Sequence, residues 1–293
     1  MHIPVSGRMT QDPDGTWRSA LADPLENERF EPLSSSVALE LAAVSVSGAL
    51  KAYNSDHYLA VRLGRTEETL ISSLAEADVP AHFAEYGYAM AVADGRGDRG
   101  AGERASRLAL STLAHLLIRY AKWNFRVDPS AVDEIVERSE FLYRRTHDAL
   151  REARLSNPLL AHMAASVTAM YIVGSDLFYV HVGHGKGFLF REGHLVQLTT
   201  GHTSEQAKAL EAERIGGPSD PRIDIEHIEV LPGDRLLLST NGLTDAVSQD
   251  VIAGVLALRR RPADDCQRLV ELARAAHASD DVTVLVADYN LQR

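Results

Sequence analysis

Asp94-Gly95-Arg96-Gly97 follows directly on the apolar run Tyr88 to Ala93 and precedes a long amphipathic segment. A strand that delivers one carboxylate into a turn whose glycines let backbone carbonyls approach a cation suits a hard divalent ion, which selects such oxygens. Asp-Gly-x-Gly alone is an ordinary turn signal, so the weight comes from its company along the chain. Lys51-Ala52-Tyr53-Asn54-Ser55-Asp56 precedes it, and Ala101-Gly102-Glu103-Arg104-Ala105-Ser106 lies just behind it. Pro232-Gly233-Asp234 then leads into Ser239-Thr240-Asn241-Gly242-Leu243-Thr244-Asp245, and Ser279-Asp280-Asp281-Val282-Thr283 lies near the C-terminus. Each places a carboxylate or an amide at the edge of a predicted strand, which points to a shared cation site.

The elements that must position these groups follow from periodicity. Val37 to Val46 and Tyr58 to Leu63 read as two strands bracketing the Asn54-Ser55-Asp56 turn, a first hairpin with Asp56 near a strand start. Ala105, Leu108, Ala109, Leu113, Leu116, Leu117 and Tyr120 form one helical stripe, and Val132, Ile135, Val136, Leu142, Tyr143, Ala149 and Leu150 form a second. Pro129 suits the start of that second helix, and the two helices are expected to pair antiparallel. From Ala165 to Leu198, short apolar runs broken by Gly174-Ser175-Asp176, Gly183-His184-Gly185 and Glu192-Gly193 predict antiparallel strands joined by hairpins. Strands are also predicted over Arg222 to Val230, Arg235 to Ser239 and Val282 to Asp288, and helices over Ser204 to Arg214, Val251 to Leu258 and Cys266 to Ala276. Residues 1–35, rich in Asp, Glu, Pro, Gly and Ser, read as an irregular lead-in to a single domain over 36–293.

A hydrophobic share of 45% with 24% charged residues is that of a globular chain rather than a disordered one. The formal net charge of −11 excludes a nucleic-acid backbone or an anionic membrane as the expected partner. Arg259-Arg260-Arg261 is the one local exception, read first as a solvated helix end. Cys266 is the sole cysteine, so no intrachain disulfide forms, and no stretch has the length or composition of a leader or a membrane span; cytoplasm is the expectation.

Taken together, the ordered motifs resemble the metal-dependent Ser/Thr protein phosphatases of the PPM family, type 2C, over roughly residues 37 to 290. There the corresponding patterns are R-x-x-N-E-D, D-G-x-G-G followed by A-G-E-x-A-S, P-G-D then S-D-G-L-T-D, and S-D-N-[IV]-T. The resemblance implies an α+β fold: a four-layer sandwich of two antiparallel β-sheets flanked by pairs of helices. It also implies two Mg²⁺ or Mn²⁺ ions, a phosphorylated protein as substrate, and hydrolysis of phosphoserine or phosphothreonine by a water bridging the ions. On this mapping Asp94 bridges both ions, Gly95 offers its carbonyl, and Asp56 and Asp280 add carboxylates.

The departures from the family pattern define the expected weaknesses. Asn241 stands where the family has the Asp of S-D-G-L, so one anionic ligand becomes at most a neutral amide oxygen. Ser55 replaces the Glu of N-E-D. Lys51 replaces the Arg that contacts the substrate phosphate, keeping the charge without the planar two-pronged contact. His184 replaces the Asp of G-D-S-R, which removes the expectation of a third metal. Asp98 and Asp281 add charge at the rim, Asp281 being read as a solvated strand-start carboxylate. The segment Gly201 to Pro221, a flap in the family, is short. These residues imply a phosphatase with weakened metal binding; the alternative is a catalytically inactive relative that binds phosphoproteins through the same scaffold.

Overall fold

Runs in which odd and even residues are both apolar require a sheet covered on both faces, and that requirement organises this chain. The computed structural model describes residues 9–11, 17–19, 36–74, 79, 82–120, 127, 129–199 and 214–292. Its strands are β1 (Met9–Gln11), β2 (Trp17–Ser19), β3 (Ser36–Val46), β4 (Asp56–Glu68), β5 (His82–Arg96), β6 (Ala164–Val173), β7 (Asp176–Val182), β8 (Lys186–Arg191), β9 (His194–Gln197), β10 (Asp224–Glu229), β11 (Arg235–Ser239) and β12 (Val282–Gln292). Its α-helices are α1 (Ala101–Tyr120), α2 (Pro129–Ser156), α3 (Asn241–Thr244), α4 (Gln249–Ala257) and α5 (Pro262–Ala275). Two five-stranded antiparallel sheets result, ordered β10-β7-β6-β5-β4 and β3-β12-β11-β8-β9. Within residues 1–35, expected to be irregular, β1 pairs antiparallel with β2.

Period-two alternation divides each strand between two cores. Met90 and Val92 of β5 point into the layer between the sheets with Met170, Leu236, Leu238 and Leu285. Their neighbours Ala91 and Ala93 face the helix pair, against Leu110 and Leu113 of α1 and Leu142 of α2. On the other sheet, Leu237, Val284 and Val286 pack on Ile252 and Leu256 of α4 and Leu269 and Val270 of α5. Each such side chain contributes about 1.5–3 kcal/mol on burial, so three continuous cores favour four layers over any exposed sheet. α1 and α2 run antiparallel: Leu108 lies with Ala153 at one end, and Tyr120 meets Phe141 edge-on at 5.5 Å at the other.

Two expected hairpins are instead crossings between sheets. β3 pairs with β12 and β4 with β5, so Val37–Val46 and the strand after Asp56 lie in opposite layers. Gly183-His184-Gly185 likewise carries the chain from β7 in one sheet to β8 in the other. Alternation patterns fix which face is buried, not which neighbour a strand takes. The Gly174-Ser175 and Glu192-Gly193 turns do close hairpins, the latter with positive φ of 51° and 86°. The helix expected over Ser204–Arg214, apart from Arg214 itself, and the flap segment up to residue 213 lie outside the described residues.

Arg235, at the start of β11, is 1% exposed. It forks onto Asp288 of β12 at 2.5 and 2.7 Å, donates to the Arg260 carbonyl at 2.7 Å, and meets the fully buried Asp265 of α5. Arg235→Ala strands two carboxylates, one of them in a dry core, and the expected loss is about 3–5 kcal/mol in chemical denaturation. A loss below about 1 kcal/mol contradicts the pairing. Arg260 also holds Asp265, and Arg261 pairs with Asp264, so the basic run is engaged at the entry to α5.

Candidate active site

The loops that leave the rims of both sheets meet beside the start of β4. Asp56 is the first residue of β4 and stands directly opposite Asp94 in the β4–β5 register. Both are buried, at 5% and 3% exposure. Thr240 donates its hydroxyl to Asp56 Oδ2 at 2.7 Å and accepts from the Thr283 amide at 3.0 Å, tying the rim of the second sheet to the first. Burial, with the charge of Asp94 added, pushes the Asp56 carboxyl up to about 8 against the opposing hydrogen bonds from Thr240 and Thr283. Burial also raises Asp94, opposed by the positive charges of Arg214, Arg96 and Lys51.

Asp280 sits on the loop before β12, half-buried. Lys51 Nζ lies 2.7 Å from its Oδ1 and 3.8 Å from Asp281 Oδ2. Burial acts to raise Asp280, but the hydrogen bond and charge of Lys51 hold it below the usual carboxylate range. Asn241 opens α3 and donates its amide to Asp245 at 2.9 Å and, at 3.5 Å, to Asp280. Asp281 departs from expectation: it is 1% exposed, not solvated, and accepts from the Gly48 and Ser55 amides at 2.9 and 2.7 Å. A strand-start carboxylate is solvated only if no loop crosses it, and here the β3–β4 crossing does.

Glycines let these loops close on one another. A Cβ on Gly95 would stand 1.8 Å from the Gly102 carbonyl oxygen, one on Gly102 would stand 2.7 Å from that of Gly95, and one on Gly242 would stand 2.0 Å from that of Asp281. The Gly95 amide donates to the Ser55 carbonyl at 3.1 Å, and Ser106 Oγ donates to the same carbonyl at 2.6 Å. The four motifs are thereby joined backbone to backbone in two pairs, Ser55 with Gly95 and the Asn241 turn with Asp281.

The structure thus gathers Asp56, Asp94, Gly95, Asn241, Asp280 and Lys51 at one place, yet among the described residues no group of three or more His, Cys, Asp or Glu side chains forms a metal cage. Its two halves differ. Asp94 Oδ2 is buried without a hydrogen-bond partner, and two buried carboxylates lie opposite each other. Such a pair calls for a cation, so the Asp56–Asp94 half fits a divalent ion. At Asp280 the ammonium of Lys51 already supplies positive charge, and the neighbouring Asn241 offers no anion. Sequence reading missed Thr240, Ser106 and Arg214, whose roles rest on contacts across the fold, and passed over Arg96, which sits inside the Asp-Gly-x-Gly motif itself.

A two-sheet sandwich with helices outside and a carboxylate cluster at the sheet rims is the architecture of the PPM-type phosphatases. The profile of the Stage II sporulation protein E (SpoIIE) family matches residues 85–290, and the chain belongs to that family, its domain being of the bacterial type 2C kind. Serine/threonine protein phosphatase PstP of Mycobacterium tuberculosis is 30% identical over 217 residues, 68% of this chain and 40% of PstP, so the chain spans less than half the length of that relative. Protein phosphatase PhpP of Streptococcus pneumoniae is 25% identical over 218 residues, covering 68% of this chain and 85% of PhpP. The crystal structure of the catalytic domain of PstP in complex with two manganese ions has a TM-score of 0.67 at 27% identity, covering 87% of this chain and all of that one.

With chelator present, the Asp56–Asp94 pair makes stability fall as pH rises. Folded Asp56 keeps its proton to about pH 8, whereas an unfolded Asp releases it near 4. The folded state therefore binds the extra proton across that window, and stability present below pH 4 is lost as pH climbs through 8, by up to a few kcal/mol. Asp56→Asn keeps an oxygen for Thr240 and should flatten this dependence, raising the melting temperature at pH 8 above that of the wild type. Identical melting profiles between pH 5.5 and 8 for the two proteins would rule out the buried pair.

Proposed function

We propose that this chain is a metal-dependent protein Ser/Thr phosphatase of the cytoplasm that acts on phosphorylated proteins. The observation carrying this reading is the face-to-face register of buried Asp56 and Asp94, with one oxygen of Asp94 left without a partner. Support comes from the family match and from the two manganese ions in the PstP catalytic domain. Among the described residues no helix is long and apolar enough to cross a membrane.

Asp56, Asp94 and the Gly95 carbonyl would hold one Mg²⁺ or Mn²⁺, and Asp280 with the Asn241 amide oxygen a second, weaker one. Such cations lower the pKa of a coordinated water and neutralise charge on phosphoryl oxygens. Thr240 holds one oxygen of Asp56 by a hydrogen bond, and Asp281 holds the Ser55 and Gly48 amides that shape the rim. Lys51, released from Asp280 once that carboxylate is otherwise neutralised, contacts a phosphoryl oxygen as a point charge. The test is hydrolysis of p-nitrophenyl phosphate and of a phosphothreonine peptide by the intact chain at millimolar Mn²⁺. Slow turnover abolished by chelator is expected; no turnover with bound Mn²⁺ and an intact fold would replace this reading with that of a phosphoprotein-binding relative.

A further inference from the structure

A cleft of about 680 Å³ opens beside the carboxylate cluster, and among the described residues its charged lining has a single sign. Arg96, Arg154, Arg214 and His162 line it together with the backbone at Gly217, and no carboxylate among the described residues does. In a chain of net charge −11 such a wall is unexpected. Arg214 is buried, Arg154 is half-buried in the last turn of α2, and Arg96 and His162 are exposed at the mouth. Among the described residues neither Arg96 nor Arg154 forms an ion pair, so both keep their forks for a ligand. The cleft adjoins the cluster electrostatically as well: Arg214 and Arg96 act on Asp94, and Arg96 also acts on Asp280.

We propose that this cleft binds a second phosphoryl group of the phosphorylated peptide whose first one occupies the Asp56–Asp94 site. This inference rests on the phosphatase reading of that site for its placement. Planar guanidinium groups match the tetrahedral dianion, and several of them around one concave space favour a doubly charged group over a single carboxylate. Arg96 follows Asp94 by two residues on an extended strand, a separation of about 7 Å along the backbone. An extended peptide covers that span plus the Arg96 side chain in about two to four residues, which sets the spacing between the two phosphorylated positions. The preferred substrates are therefore multiply phosphorylated segments, with Arg154 and Arg96 as the specificity-determining residues.

The experiment uses fluorescein-labelled peptides with a central phosphothreonine, alone or with a second phosphothreonine two, three or four residues to either side, or with glutamate in that second place. Fluorescence anisotropy with Mn²⁺-loaded protein at 0.15 M salt, read before appreciable hydrolysis, gives each dissociation constant, and turnover of p-nitrophenyl phosphate by the same protein reports on the phosphatase reading separately. At least one doubly phosphorylated peptide should bind about tenfold more tightly than the singly phosphorylated one. Arg154→Glu should erase that advantage while leaving the singly phosphorylated peptide and p-nitrophenyl phosphate unchanged, and Arg154→Lys should retain most of it. Circular dichroism verifies that both variants fold. Equal binding of all peptides, or an equal weakening of singly and doubly phosphorylated peptides by Arg154→Glu, overturns the proposal. A glutamate peptide that binds as tightly as the doubly phosphorylated one overturns the assignment to a phosphoryl group.

Discussion

Replacing Asp94 with Ala should abolish saturable Mn²⁺ binding in calorimetry and lower phosphatase activity at least about 100-fold, while the metal-free protein melts no lower than the wild type. The two halves of this expectation have one cause. Asp94 is buried with one oxygen unpartnered and faces Asp56 across the strand pair, so in the metal-free state it is a liability. Removing it relieves Asp56, whose proton is held partly by the charge of Asp94. A carboxylate kept for structure alone behaves oppositely: its loss lowers the melting temperature and leaves Mn²⁺ binding intact.

Asn241→Asp should move stability and affinity in opposite directions. The Asn241 amide donates to Asp245 and reaches toward Asp280, so a carboxylate in its place loses both donor contacts and meets two like charges. The metal-free variant should lose about 1–3 kcal/mol. Mn²⁺, in contrast, gains an anionic ligand beside Asp280, and its affinity should rise about tenfold or more, with a faster turnover to match. Thermal melts with and without Mn²⁺ read both effects at once. A variant whose metal-free stability is unchanged and whose Mn²⁺-induced shift equals that of the wild type would place Asn241 outside the cation site.

What the sequence made legible was the position of groups carried by local motifs. Asp-Gly-x-Gly after an apolar strand placed Asp94 and Gly95, and the S-x-N-G-L and S-D-D runs placed Asn241 and Asp280, because each motif pairs a functional group with the turn that presents it. The four layers were implied by the resemblance to the PPM family, and the cores on both faces of each sheet give the physical reason for them. Strand partnership did not follow: β3 and β4 look like a hairpin in sequence but belong to opposite sheets, since alternation says nothing about which layer a strand joins. The role of Asp281 was hidden for the same reason, because its amide partners at Gly48 and Ser55 arrive on that crossing. Lys51 could be read as a cation near a phosphate; that it rests on Asp280 depends on the fold. Arginines lining the adjoining cleft come from β5, α2 and the segment before β10, and no linear pattern links them.

Anomalous diffraction from Mn²⁺-soaked crystals at the manganese edge shows whether Asp56 and Asp94 hold a divalent cation between them. A strong peak in contact with both carboxylates and the Gly95 carbonyl oxygen is expected, with a weaker second peak at Asp280. Peaks absent from this cluster while manganese occupies other parts of the molecule would contradict it.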